Sequence, residues 1–366
     1  MKVVIAAWHV RDFNVGLGRY ARELIEGLGR VDHSTQYTVL LPVGAEGFTP
    51  RPNIRFRTVR LPFGKRRVWE QLVPWTGGVC DLLHLPYDSC LAWPRSPVLV
   101  TIHDVKPLIF GTPTRRRNLH ERLESWAVGD RWAKIDHVVT ISQCSRRDIL
   151  AHCPVQPDRV SVVYAGVDTA RFTPYSGADS PHAHRPQRPY VLCVAGDDPA
   201  KNVETLVDAF AQLPPALREA HELVLVGDVQ KRQVVRQRVA QHRLEAQVCW
   251  MGLVDDATLI GLYRGARVFA FPSRYEGFGL PPLEAMACGC PVVSSQASSL
   301  PEVVGDAGLM VDPSDVPALA QALTRVLTDD ALREMLVARG AARVQEFTWD
   351  RAASEMAALY GRLAKR

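Results

Sequence analysis

Residues 268–286 read VFAFPSRYEGFGLPPLEAM, and their order decides the fold. VFAF is a short continuous apolar run, the pattern of a strand buried on both faces. RYEGFG follows as a loop. LPPLEAM then reads as a helix with its prolines in the first turn, where no backbone N–H partner is needed. A buried strand passing through a glycine-rich bend into a helix is a unit of a doubly wound α/β sheet, which places ligands at the carboxyl ends of its strands. Glu276 falls in the loop and Glu284 about one turn into the helix. The positive helix terminus favours an anion between the two carboxylates. Each carboxylate accepts two hydrogen bonds at once, which suits vicinal sugar hydroxyls. A pyrophosphate flanked by hydroxyl-bearing groups satisfies every part. Ordinary N-terminal glutamates of a helix are the alternative, and they leave Gly277 and Gly279 unexplained.

The same pattern repeats along the chain. VVIAAW, YTVLLP, DLLHLPY, VLVTIHD, HVVTIS and VSVVY are apolar runs of the first half, and YVLCVAG, ELVLVG, VCWMG, RVFAFPS, PVVSS and GLMVD those of the second. Amphipathic stretches separate them, which predicts two parallel sheets covered on both faces. The segment TPYSGADSPHAHRPQRP, residues 173–189, lacks any apolar period and is rich in Pro, Ser, Gly and Ala. The expected organisation is a first Rossmann-like domain over residues 1–172, a linker over 173–189 and a second Rossmann-like domain over 190–345. A final helix over 346–366 is expected to pack back on the first domain, with Thr348 suited to N-capping. His182 and His184 lie in the linker and read as solvated histidines rather than a metal pair.

A chain of 366 residues with 47% hydrophobic and 23% charged residues fits two folded domains. No apolar run approaches the roughly 20 residues that cross a bilayer, and MKVVIAAWHV reads as a first buried strand. The eight cysteines follow no disulfide or zinc spacing, so buried reduced thiols in a cytoplasmic protein are expected. The net charge of +5 is uneven. Residues 1–175 hold 24 Lys and Arg against 16 Asp and Glu, whereas the remainder holds 20 against 23. An anionic partner is therefore expected for the first half.

Two further stretches carry chemistry. Gly16-Leu17-Gly18 follows the first strand and opens a helix, so its amides can face an anion, and Arg19 adds a guanidinium suited to phosphate. A tight strand–helix turn is the alternative. The third glycine and the ribose-binding acid of a dinucleotide fingerprint are missing, which weighs against a nicotinamide dehydrogenase. His103-Asp104 closes the run VLVTIHD at the carboxyl end of a strand and reads equally as a catalytic or a structural pair.

PSRYEGFGLPPLEAMACGCPVVSSQASSLPEVVGDAGLMVDP, GLGRY, TIHD and VVYAGVDTARFTP together resemble the retaining glycosyltransferases of family 4, across nearly the whole chain. The resemblance implies the GT-B fold, two doubly wound Rossmann-like α/β domains facing a central cleft. It is nearest to a bacterial branch, mostly mannosyltransferases, that builds surface polysaccharides. The resemblance further implies that Glu284 binds the donor ribose, while Glu276 and the backbone of Phe278, Gly279 and Leu280 hold the transferred sugar and phosphate. Lys201 would neutralise the diphosphate leaving group, and Gly16 and Gly18 would close over the pyrophosphate. His103 would touch the sugar near the reacting carbon, and Gly252, Leu253 and Val254 would meet the base. In one respect the chain departs from the family. VAGDDPAKN has Ala200 where a second cation usually precedes the lysine, so either Arg19 or Arg274 supplies that charge or the donor phosphate is held more weakly than usual in the family. Asp197-Asp198 and Asp255-Asp256 read as loop acids rather than metal ligands, since the family generally works without a metal.

The expected donor is a nucleotide-diphospho-sugar, GDP-mannose first and a UDP-sugar next, with no cofactor and no metal required. The expected acceptor is a glycan or a lipid-linked glycan. Lys65, Arg66, Arg67, Arg115, Arg116 and Arg117, with Trp126 and Trp132, read either as a site for an anionic membrane surface or as solvated amphipathic helices. A cytoplasmic protein, peripheral on the inner face of the membrane, follows from the first reading. No nucleic-acid motif appears. Two alternatives to the transferase stay open. One is a sugar-nucleotide epimerase or hydrolase of the same fold, and the other is a non-catalytic partner subunit that keeps the fold.

Overall fold

A computed structural model describes residues 1–11, 16–60, 66–111, 131–174 and 186–365. The chain divides into two compact units. The first comprises Met1–Gly166 with Trp349–Arg366, and the second Val167–Thr348.

Among the described residues the first unit has seven strands: β1 (Lys2–Ala6), β2 (Gln36–Pro42), β3 (Ile54–Val59), β4 (Leu82–Leu85), β5 (Val98–Thr101), β6 (His137–Thr140) and β7 (Val160–Val162). Their order is β3-β2-β1-β4-β5-β6-β7, with every pairing parallel. The order reverses between β1 and β4, the switch point at which such sheets open a crevice. The apolar runs of the sequence supply six of these strands, and β3 is the one they miss. IRFRTV lies at the sheet edge with mixed burial, so its polar residues break up the continuous apolar pattern of a central strand.

The second unit holds β8 (Tyr190–Val194), β9 (Glu222–Val226), β10 (Val248–Gly252), β11 (Val268–Phe271), β12 (Val292–Ser295) and β13 (Gly308–Val311). The order β10-β9-β8-β11-β12-β13 is wholly parallel, with its switch point between β8 and β11. Its core joins the buried faces of β8, β9 and β11 to Leu206, Phe210, Leu323 and Leu336 from the covering helices. In the first unit Trp69, Val73, Leu85, Val100 and Ile149 serve the same purpose.

The last helix, Trp349–Leu363, packs on the helix Gly16–Val31 of the first unit. Gly27 permits the approach, since a Cβ there would stand 2.9 Å from Ala353 Cβ and 3.0 Å from the Trp349 carbonyl. Deeper in, His84 of β4 bridges to that helix, with Nδ1 2.7 Å from Tyr360 Oη and Nε2 2.8 Å from Thr101 Oγ1. The unit boundary at Gly166/Val167 precedes the 173–189 segment. Residues 167–172 belong to the second unit, where the Val167 N–H donates to the Phe347 carbonyl at 2.8 Å and Val167 forms a bridge with Thr348. His182 and His184 lie outside the described residues.

All eight cysteines are free thiols. Five are buried, whereas Cys80, Cys90 and Cys249 are half-buried rather than buried as expected. Desolvation pushes Cys193 and Cys288 up to about 12, so both are protonated and inert at neutral pH.

Candidate active site

The loops that leave β8 and β11 meet at the second unit's switch point. The chain after β8 runs through Gly196-Asp197-Asp198 into a single 3₁₀ turn, Pro199–Lys201. Asp198 caps that turn by accepting from the Ala200 N–H at 2.9 Å. Asn202 comes next, fully buried in a left-handed conformation with φ 57°. Its Nδ2 donates to the carbonyls of Pro272 at 3.0 Å and Pro313 at 2.7 Å, while its Oδ1 accepts from Thr205 Oγ1 at 2.7 Å. The end of β8 is thereby tied to the end of β11. A further bond runs from the Arg274 N–H to the Ala200 carbonyl at 2.7 Å.

This bracing sets Lys201 against Glu276. The ammonium donates to both carboxylate oxygens, at 2.8 and 3.0 Å, and stands 5.1 Å above the centre of the Phe271 ring. Both side chains are largely enclosed, 22% and 13% exposed. The Glu276 backbone is pinned as well. Its N–H donates to Ser298 Oγ at 2.8 Å, and Ser299 Oγ lies 2.9 Å from the Glu276 carbonyl and 2.6 Å from that of Phe278. Gly279 ends the bend with φ 120°, which only glycine adopts readily. A Cβ at that position would approach Leu300 Cδ2 to 2.8 Å.

The helix Leu280–Ala287 follows, with its prolines at the start. Glu284 points inward and is 4% exposed, accepting from the buried Tyr263 hydroxyl at 3.0 Å. Loops after β9 and β10 complete the rim, joined by the Gly227 N–H donating to the Gly252 carbonyl at 2.6 Å. Leu253 stands 71% exposed beside them. Thus Lys201, Glu276, Phe278, Gly279, Leu280, Glu284, Gly252, Leu253 and Val254 all fall on segments at the carboxyl end of one sheet, the edge at which an open α/β sheet binds its ligand.

Arg274 is half-exposed and lies 3.8 Å from Glu204, which also pairs with the buried Arg232 at 3.0 Å. Arg232 escaped the sequence reading. It sits beyond β9 in the charged stretch QKRQ, which resembles a solvated turn, and only its burial distinguishes it. Asp255 accepts from the Thr258 N–H at 2.8 Å and so caps the helix Asp256–Gly265, while Asp256 pairs with Arg171. Asp198 and Asp255 therefore serve as helix caps. Among the described residues no group of three or more His, Cys, Asp or Glu is arranged to hold a metal.

In the first unit the helix Gly16–Val31 begins at Gly16, which is exposed and has open space around it, while Gly18 is buried. Residues between the first strand and Gly16, at 12–15, lie outside the described set. His103 follows β5 with Nε2 3.3 Å from the Pro86 carbonyl and its ring edge-on to Tyr20 at 4.5 Å. Desolvation pushes its pKa down to about 4, the neighbouring His9 adding to the effect, so the ring is neutral at pH 7. His9, which the motifs did not single out, lies 3.1 Å from Arg66 Nη1 and edge-on to Tyr87 at 4.7 Å. Guanidinium only donates, so His9 Nε2 is the acceptor in that contact. Its signal was available in WHVR, directly beyond the first apolar strand.

Of the basic stretches, Lys65, Arg115, Arg116, Arg117 and Trp126 lie outside the described residues. Arg66 is engaged by His9 and, at 3.2 Å, by Glu70, and Trp132 packs partly buried against the core. Instead the helix Arg66–Thr76 exposes Val68, Leu72 and Trp75 along one stripe, with Arg95 stacked 3.7 Å from the centre of the Trp75 ring. No helix among the described residues is long and apolar enough to cross a membrane.

Comparison with known proteins agrees with this architecture. The family described as glycosyl transferases group 1 matches residues 178–343, and glycosyltransferase family 4 matches residues 15–171. The O-antigen chain mannosyltransferase B of Escherichia coli is 30% identical over 96% of this chain and 97% of its own length. The MMP alpha-(1->4)-mannosyltransferase of Mycolicibacterium hassiacum is 34% identical over 64% of this chain and 56% of its own. Among solved structures, the sucrose-phosphate synthase of Thermosynechococcus elongatus superposes with a TM-score of 0.75 at 24% identity, over 99% of both chains. The chain belongs to glycosyltransferase family 4 and has the GT-B fold.

Proposed function

We propose that the protein moves a hexose, mannose in first place, from a nucleotide-diphospho-sugar to a glycan or lipid-linked acceptor during assembly of a surface polysaccharide. The observation that carries this reading is the group Lys201, Glu276 and Glu284 at one sheet's switch point. It joins a cation suited to a diphosphate with two enclosed carboxylates suited to hydroxyls. GDP-mannose is the preferred donor, its mannose supported by the mannosyltransferase relatives, and a UDP-sugar comes second. No metal or cofactor is required on this reading.

Within the site, Glu284 takes the ribose hydroxyls and Glu276 the sugar hydroxyls. Phe278, Gly279 and Leu280 line the sugar and phosphate through their backbone. Lys201, assisted by Arg274, neutralises the diphosphate as it departs. The loop Gly252-Leu253-Val254 meets the base. Gly16, Gly18 and Arg19 take the pyrophosphate role and His103 the sugar role that the family resemblance implies. Transfer proceeds with retention: the acceptor oxygen bonds to the anomeric carbon as the carbon–phosphate-oxygen bond breaks, and the acceptor proton passes to the departing phosphate. A neutral His103 can hold a sugar hydroxyl without placing a positive charge next to the reacting carbon.

Peripheral attachment to an anionic membrane surface is part of the proposal. The exposed stripe of Val68, Leu72 and Trp75 beside Arg95 supports it. Vesicle co-sedimentation that is unchanged in Trp75→Ser would remove it.

The primary test is a thermal-shift titration with GDP, UDP, ADP and dTDP, because a ligand that binds the native state raises its midpoint. One nucleotide giving a clear shift, lost in Glu284→Ala, is the expected result. No shift with any of the four or with their nucleotide-sugars moves the non-catalytic alternative to the front, and Ala200 in place of a cation is the feature that favours it. Release of free nucleotide at full rate without an acceptor would instead identify a hydrolase or epimerase.

A further inference from the structure

We infer that Glu276 and Lys201 together discriminate a sugar-bearing donor from the bare nucleoside diphosphate. Glu276 holds Lys201 until a ligand arrives that satisfies both, and reclaims it once the sugar has been transferred. The inference rests on the donor-site reading above.

The geometry is that of a closed pair. One ammonium engages both oxygens of one carboxylate at 2.8 and 3.0 Å, so each charge neutralises the other. The two side chains are too enclosed to be replaced by water at little cost. Separating such a pair leaves an uncompensated charge behind, which is far more costly than losing a surface ion pair. Glu276 cannot evade that cost by swinging its backbone away, because its N–H and carbonyl are tied to Ser298 and Ser299.

A diphosphate that draws Lys201 away therefore strands the Glu276 carboxylate. A nucleotide-sugar brings hydroxyl donors that replace the lost ammonium, whereas a nucleoside diphosphate brings none. The site thus penalises the product relative to the donor. Once the sugar has left, re-forming of the pair helps to expel the nucleotide.

The test is isothermal titration of the full chain with nucleoside diphosphate and with the corresponding nucleotide-sugar, using wild type, Glu276→Gln, Lys201→Met and the double variant. Glu276→Gln should bind nucleoside diphosphate about tenfold tighter than wild type, since the competing charge is gone. Its affinity for the nucleotide-sugar should not rise. In the Lys201→Met background the glutamine should leave nucleoside diphosphate binding unchanged, because the effect runs through Lys201. An equal gain in both backgrounds would mean simple repulsion between carboxylate and phosphate and would overturn the inference. So would no gain at all in Glu276→Gln. If the folded wild type and variants all ignore every nucleoside diphosphate and nucleotide-sugar, the donor-site reading fails first, and the inference with it.

Discussion

Lys201 and Glu276 stand 75 positions apart in the chain, and Asn202, Arg274, Ser298 and Ser299 brace the loops that bring them together. Asn202 adopts a left-handed backbone and gives its amide to two carbonyls from other loops. Asn202→Ala should therefore cost about 2–3 kcal/mol in chemical denaturation, as two buried carbonyls lose their donor. It should also weaken nucleotide binding, because the Lys201 turn loses its anchor. Glu284 is more buried than Glu276 and relies on the Tyr263 hydroxyl. Tyr263→Phe should reduce stability by about 1 kcal/mol and lower nucleotide affinity with little change in turnover at saturation. A loss of turnover alone would move Glu284 from ribose binding to the reacting centre.

At the scale of elements, the strand–bend–helix unit from Val268 to Ala287 works because each part ends where the next requires it. The apolar strand stops at Phe271, Gly279 makes the turn at a φ closed to other residues, and the prolines enter the helix where no donor is missed. Gly279→Ala should destabilise the second unit by about 1–3 kcal/mol, from backbone strain and the clash with Leu300. That loss should lower the thermal midpoint by several degrees. An unchanged midpoint would show that the bend relaxes into another conformation. The legibility of this unit was high, since glycine, proline and continuous apolar runs each have one strong backbone meaning. Edge strand β3 has no such run: Arg55 and Arg57 alternate with Ile54 and Phe56, the period-two pattern of a half-exposed strand and not the continuous one of a central strand.

At the scale of the whole chain, the first unit is discontinuous in sequence and draws its last helix from residues 349–363. Ala353, Met356 and Tyr360 are buried there. Truncation at residue 348 should leave the first unit unfolded or aggregating while the second keeps its nucleotide response. Proteolysis followed by thermal melting of the two fragments would read this directly. The same helix carries a pH dependence. Burial, with a further contribution from His103, pushes His84 down to about 3, well below the roughly 6.5 of an unfolded histidine. The unfolded chain thus binds the proton first. Stability is full above about pH 6.5 and falls as the pH drops from there toward 3, by a few kcal/mol. His84→Gln should flatten this acid limb of the stability curve while lowering its plateau. A variant with an acid limb as steep as wild type would assign the loss to other groups.

The order of apolar runs, glycine bends and proline-led helices, read from sequence by itself, was enough for two parallel α/β sheets and for Glu276, Glu284 and His103 as the residues to watch, while Lys201 came from the family resemblance. These patterns are local, and the backbone meaning of a glycine or a buried strand hardly depends on distant contacts. Tertiary structure alone decided that Lys201 is held by Glu276, that Arg232 is buried against Glu204, that His9 stands against Arg66, and that the final helix anchors on His84. Each depends on which elements come to lie side by side, and the Lys201–Glu276 pair on which loops meet across a switch point. Strand order arises from packing between residues tens to hundreds of positions apart, and a charged residue looks the same in sequence whether it ends in water or against its partner.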